Sequence, residues 1–117
     1  MSGGTGKLGE DYTVQWLANR GYRIIARNFH SRYGETDIIA EDGKYIVFVE
    51  VKTRRSGSLV APLEAVTPQK RHKLLLTAQV YLLQHPSPLQ PRFDVAAVTT
   101  VGGKPLGVEY YENAFGA

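Results

Sequence analysis

Residues Tyr45–Lys52 read Tyr-Ile-Val-Phe-Val-Glu-Val-Lys, apolar at every position until Glu50 and Lys52. Alternate residues of a strand share a face. Ile46, Phe48, Glu50 and Lys52 therefore line one face, and Tyr45, Val47, Val49 and Val51 the other. Two apolar faces predict a strand covered on both sides. The preceding run, Glu35–Ala40, reads as a second strand, with Glu41-Asp42-Gly43-Lys44 as the turn, since Asp-Gly between apolar runs is a strong hairpin signal. Upstream, helical spacing over about Lys7–Arg20 puts Glu10, Val14, Leu17 and Gly21 on one stripe, with Gly21 as the stop. Tyr22–Phe29 reads as the first strand. Thr67-Pro68 opens a second helix with Leu74, Leu75, Ala78, Tyr81 and Leu82 on its apolar stripe, ended by His85-Pro86. Arg92–Val101 reads as a fourth strand, Gly102-Gly103 as a turn, and Pro105–Tyr111 as a short edge strand. The order α-β-β-β-α-β-β, with a helix between the third and fourth strands, permits a parallel crossover there. The prediction is an α/β fold: a mixed sheet of about five strands flanked by helices.

The charges that end the apolar run are where chemistry is expected, because a buried carboxylate or ammonium is costly unless paired or metal-bound. With Asp42 and Gly43 as the two turn residues, Asp37 faces Phe48 and Glu35 faces Glu50. Asp37 then shares a face with Glu50, one diagonal step away and roughly 7–8 Å between backbones. Carboxylates that converge repel and raise one another's pKa unless a cation binds. All-oxygen ligands suit Mg²⁺ or Mn²⁺. A register slip of one residue would separate the pair. The competing reading is an ordinary hairpin whose charged ends are solvated or salt-bridged. Glu10 either completes such a site or forms a salt bridge near its helix start, where acids are favoured. Asp94, inside Arg92-Phe93-Asp94-Val95, reads as a structural carboxylate with a partner such as an arginine.

The chain's 117 residues, 43% hydrophobic and 21% charged, fit one globular domain over 1–117. There is no cysteine, which removes disulfides and thiol chemistry. The start, Met1-Ser2-Gly3-Gly4-Thr5-Gly6, lacks the apolar core of a secretory signal, and no apolar stretch is long enough to span a membrane, so a cytoplasmic location is expected. That start reads as a flexible terminus. Gly6-Lys7 is not a phosphate-binding loop, since no strand precedes it and Leu8 replaces the Ser or Thr. His30, His72 and His85 lack metal-ligand spacing and read as surface or phosphate-proximal residues.

The net charge of +3 supports nucleic-acid binding only weakly. Its distribution says more. Arg27 with Arg32, Arg54 with Arg55, and Lys70, Arg71 and Lys73 form three basic groups. Arg54–Ser58 looks like a mobile loop. The third group opens a helix, where the dipole disfavours cations, so an anion nearby would offset it, a nucleic-acid backbone being one candidate. Phe29 and Tyr33, interleaved with the first group, are candidates to stack on bases. A solvated basic surface is the plain alternative.

Taken together, Glu10, Gly34-Glu35-Thr36-Asp37 and Glu50-Val51-Lys52 resemble the acid, Asp and Glu-x-Lys pattern of the PD-(D/E)XK nuclease superfamily. Nearly the whole chain resembles the YraN-like family related to Holliday-junction resolvases. The resemblance runs through Gly21-Tyr22 to Arg27-Asn28, Val47–Arg54, Lys70, Ala78 with Tyr81-Leu82, and Arg92–Val95. It implies a restriction-endonuclease-like fold, with Asp37 and Glu50 ligating Mg²⁺ or Mn²⁺ and Glu10 completing the site. Lys52 would orient water or stabilise charge on the phosphate. Glu-Thr stands before the Asp where the superfamily often has proline, and Thr36 is more polar than the aliphatic residue expected there, facing away from the site. The resemblance implies a metal-dependent endonuclease acting on DNA, branched or junction DNA included, in DNA repair or recombination, and by analogy a homodimer. The alternatives are a nucleic-acid-binding or adaptor module that does not cut, or a protein-interaction module.

Overall fold

The computed structural model describes residues 4–116. Its elements follow the predicted order: α1 (Gly4–Asn19), β1 (Arg23–Ser31), β2 (Gly34–Glu41), β3 (Tyr45–Arg55), a short 3-10 turn (Pro62–Ala65), α2 (Pro68–Gln84), β4 (Gln90–Val101) and β5 (Lys104–Phe115). The glycine-rich start expected to be flexible lies partly outside the described residues, and from Gly4 the chain is helical. The five strands form one sheet in sequence order. β3 and β4 run parallel, and every other neighbouring pair is antiparallel. The sheet is mixed because only the α2 crossover returns the chain to the same end.

Both faces of β3 are covered, as its sequence predicts. Val47 and Val49 pack with Ile38, Ala40 and Leu17 on the α1 face. Ile46 and Phe48 pack with Ile39, Ala78, Tyr81 and Phe93 on the α2 face. α1 approaches the sheet tightly at Gly9, where an added Cβ would lie 2.5 Å from Thr53 Oγ1. Thr67 caps α2 by accepting from the Lys70 N–H, and proline follows it. Among the described residues no helix is long and apolar enough to cross a membrane.

Three local expectations are corrected. The hairpin turn is centred on Gly43-Lys44, not Asp42-Gly43. Asp42 N–H donates to the Tyr45 carbonyl, and the Asp42 carboxylate accepts from the N–H groups of Lys44 and Tyr45. Gly43 takes the positive φ of 92° at the first central position. Arg54 and Arg55 belong to β3, not to a loop, because β3 pairs with β4 as far as Arg55 opposite Thr100. β5 is not short. It continues past a bulge near Asn113, whose N–H donates to Asp94, and Phe115 stacks on Phe93 at 5.4 Å.

Asp94 lies fully buried at the centre of a polar network. It accepts from Arg92 Nε (3.0 Å) and Nη2 (2.8 Å), from the Tyr110 hydroxyl (2.7 Å) and from Asn113 N–H (2.8 Å). Arg92 also donates to the Tyr22 hydroxyl at 2.7 Å. The arginine partner expected from sequence is therefore Arg92, two residues away on the same strand face.

Thr36 stands opposite Phe29 and lines a small gap with Phe48, Glu50, Leu74 and Phe93 on the α2 side of the sheet, not turned away from the site as expected. Its hydroxyl, 1% exposed, has no partner among the described residues. A buried hydroxyl left unsatisfied costs about 1–3 kcal/mol. Thr36→Val, of similar volume, is expected to stabilise the protein by about 1 kcal/mol in urea denaturation. A loss of stability would mean that the hydroxyl has a partner such as an ordered water.

Candidate active site

The turn shift slides β2 along β3 by two residues relative to the expected register, with Glu41 opposite Ile46 and Ile38 opposite Val49. A two-residue slide leaves every side chain on its face. The β2–β3 ladder ends at Ile38 opposite Val49, and just beyond it the Asp37 carboxylate takes the Val51 N–H and stands beside the Glu50 side chain. Both are buried, 9% and 6% exposed. They line the floor of a cleft of about 480 Å³ between the β1–β2 turn and the start of α2. Tyr33, Gln69, Lys70 and Lys73 line its sides.

Burial first, and then the Glu50 charge, raise the Asp37 carboxyl from the ordinary 3.8 to about 8, against the N–H of Val51, which donates to its Oδ2 at 2.7 Å. Two ammonium groups crowd Glu50. Lys70 Nζ lies 2.7 Å from its Oε2, and Lys52 Nζ 3.5 Å away. Burial lowers both lysines, but Lys70, closer to the carboxylate, ends above its ordinary value. Lys52, with Lys70 as a neighbour, ends below its own. Lys70 is thus the ion-pair partner of Glu50, and Lys52 is the amine that loses its proton more readily.

Glu10, half-buried on α1, stands close enough for its charge to raise Asp37 further. Both outcomes weighed for it apply in part. It lies beside the acidic pair, yet it also sits 3.8 Å from Arg27 Nη2. Burial chiefly raises its own pKa. Asn28, with its amide oriented to satisfy its neighbours, donates to Glu10 Oε1 (3.2 Å) and Glu35 Oε2 (3.3 Å). Sequence reasoning assigned no role to Asn28. Its signal is an asparagine inside a strand, and it takes a left-handed φ of 52°, which asparagine tolerates better than most residues.

The basic groups divide differently from expectation. The anion offsetting the cations at the start of α2 is the chain's own Glu50. Arg71 turns inward to the carbonyls of Val66 (2.8 Å) and Leu63 (3.4 Å). Arg27 pairs with Asp11 at 2.7 Å, and Arg54 with Glu109. Arg32, Arg55 and Lys73 remain exposed. Phe29 is not a base-stacking platform, since its ring meets Tyr81 edge-on at 5.1 Å in the core. Tyr33 borders the cleft, with the Arg32 guanidinium 5.0 Å from its ring centre. His30 lies 3.6 Å from Glu35, and His85 stacks on Tyr81.

Among the described residues no group of three His, Asp or Glu side chains is assembled as a metal cluster. Asp37 and Glu50 by themselves are an oxygen donor pair whose mutual repulsion a cation would relieve, so their chemistry fits Mg²⁺ or Mn²⁺. Lys70 Nζ and Lys52 Nζ both approach Glu50 through Oε2.

Relatives of nearly the same length resemble this chain throughout. A UPF0102 protein of Prosthecochloris aestuarii is 43% identical over 118 residues, covering 96% of this chain and 93% of its own length. One from Bifidobacterium longum subsp. infantis is 44% identical over 114 residues, covering 94% and 91%. One from Dictyoglomus turgidum is 39% identical over 112 residues, covering 94% and 95%. The model of the family described as "Uncharacterised protein family UPF0102" matches residues 9–98, a span that holds the acids and lysines of the cleft. The chain therefore belongs to the uncharacterised protein family UPF0102, the YraN-like family that its sequence resembles.

Proposed function

We propose that this protein is a metal-dependent phosphodiesterase that cuts DNA. The observation that carries the reading is the recessed pair of Asp37 and Glu50, side by side in one cleft at the ends of neighbouring strands with Lys52 3.5 Å from Glu50. Asp37 and Glu50 would hold Mg²⁺ or Mn²⁺, which when bound polarises the phosphodiester and lowers the pKa of a water. Lys52 Nζ, below its ordinary pKa, orients that water or steadies negative charge on a phosphate oxygen. Lys70 Nζ, once released from Glu50, and Lys73 bind the substrate backbone. Glu10, held by Asn28 and Arg27, stands at the edge of the acidic pair as a third acid. The resemblance to Holliday-junction resolvases supports a branched substrate and a homodimer as part of the same reading.

Calorimetric titration of Mn²⁺ into wild type and an Asp37→Asn/Glu50→Gln variant tests the metal, and cleavage of branched and linear DNA with Mg²⁺ tests the chemistry. Saturable binding and cutting, both lost in the variant, are expected. Cutting that survives the double substitution would remove the reading.

A second reading, a nucleic-acid-binding module that does not cut, is favoured by one observation: Lys70 Nζ, 2.7 Å from Glu50, already neutralises it. Salt-dependent DNA binding unchanged in the double variant, with no cleavage, would select this reading.

A further inference from the structure

Asp37 and Glu50 lie at the bottom of the cleft with less than a tenth of their surface exposed, so a phosphodiester must enter the cleft to reach them. A volume of about 480 Å³ falls within the range of about 300–1,000 Å³ typical of small-ligand sites. It suits one nucleotide, not a base-paired helix. The lining divides in a way that suits a nucleotide. Lys70 and Lys73 supply positive charge for phosphate, the Gln69 amide can both donate to and accept from a base edge, and Tyr33 is the one aromatic among the lining residues. In a duplex both faces of each base are covered by its neighbours, leaving nothing for Tyr33 to stack on. An unstacked base meets an aromatic ring without regard to sequence.

We propose that the cleft takes a single unpaired nucleotide of a DNA strand, its base against Tyr33 and its phosphate directed toward Asp37 and Glu50. The inference rests on the proposed action on DNA and narrows its substrate to strands with an unpaired position, as at a single-stranded end, a flap or a branch point. A fully paired linear duplex presents none.

Fluorescence anisotropy in EDTA at low salt tests it with three probes: a single-stranded oligonucleotide, its blunt duplex, and the same duplex carrying one unpaired nucleotide. Wild type is expected to bind the first and third at least tenfold more tightly than the blunt duplex. Tyr33→Leu, which keeps bulk without the ring, should weaken those two by about fivefold to a hundredfold and leave the blunt duplex unchanged. Tyr33→Phe should retain the preference, which a merely structural role for the hydroxyl would not allow. Equal affinity for all three probes, or an equal loss on all three in Tyr33→Leu, overturns the proposal. Binding to none overturns it together with the proposed function. Parallel assays with Mg²⁺ separate the two: equal cutting of blunt duplex and single strand overturns only the unpaired-nucleotide inference. Preferential binding without any cutting supports the nucleotide pocket and overturns only the nuclease reading.

Discussion

In metal-free buffer at neutral pH, Asp37→Asn is expected to be more stable than wild type. The Asp37 carboxyl is raised from the ordinary 3.8 to about 8, chiefly by burial and then by Glu50. Between those pH values the folded protein holds a proton that the unfolded chain releases. Its stabilising effect is complete below about pH 4 and lost as pH rises through about 8. At about 1.4 kcal/mol per tenfold in proton affinity, the ceiling is about 5–6 kcal/mol. Glu50, Lys52 and Lys70 share that cost, so a gain of about 1–3 kcal/mol is expected from asparagine. The amide oxygen can still accept from the Val51 N–H. Urea denaturation at pH 5, 7 and 9 measures this: wild type should weaken with rising pH more steeply than the variant. Added Mn²⁺ should stabilise wild type and leave Asp37→Asn unmoved, because a ligand stabilises only a state that binds it. A variant less stable than wild type at pH 8 would show that Asp37 supports the fold instead of straining it.

The largest loss of stability is expected from Asp94→Ala. Asp94 is fully buried and accepts from Arg92, Tyr110 and the Asn113 backbone, so removing it leaves three sets of donors without their acceptor. Breaking a buried ion pair by deleting one partner costs about 3–5 kcal/mol, a large part of a domain's total of about 5–15 kcal/mol. The bulge that lets β5 continue to Phe115 depends on the same carboxylate. Its release should also free the end of that strand, visible as faster amide exchange over residues 111–115. Removing both charges, as Arg92→Met with Asp94→Leu, should recover much of the loss, since the uncompensated charge is gone. A cost below about 1 kcal/mol for Asp94→Ala would mean that Arg92 is satisfied elsewhere. Asp42 at 3.8 Å and Glu112 at 4.0 Å are the groups in reach.

Much of this molecule is legible along the chain because alternation and helical spacing are local. Alternation alone puts Glu50 and Lys52 on one face of β3 and Asp37 on the matching face of β2. That assignment survives the misplaced turn, since a shift of two residues restores every side chain to its side. The order of elements, the crossover helix with its Thr67 cap and the arginine partner of Asp94 follow from residue type and spacing in the same way. The exact turn is not legible in this way: Asp42 and Gly43 both suit central turn positions, and the hydrogen bonds from Lys44 and Tyr45 to the Asp42 carboxylate place the centre at Gly43-Lys44.

Tertiary structure decided which charges are free and which are spent. Lys70 looks like surface charge in the sequence, and only the packing of α2 on the sheet brings its ammonium to Glu50. Arg71, one residue on, points instead to carbonyls of the preceding 3-10 turn. Phe29 and Tyr33 look alike as aromatics among basic residues, yet one is core and the other borders the cleft, because Tyr81 covers only the first. Asn28 enters through the same long-range packing, joining acids from α1 and β2. Periodicity reports the face on which a side chain lies. The distance from that side chain to a group tens of residues away depends on how whole elements dock, and no local pattern encodes it.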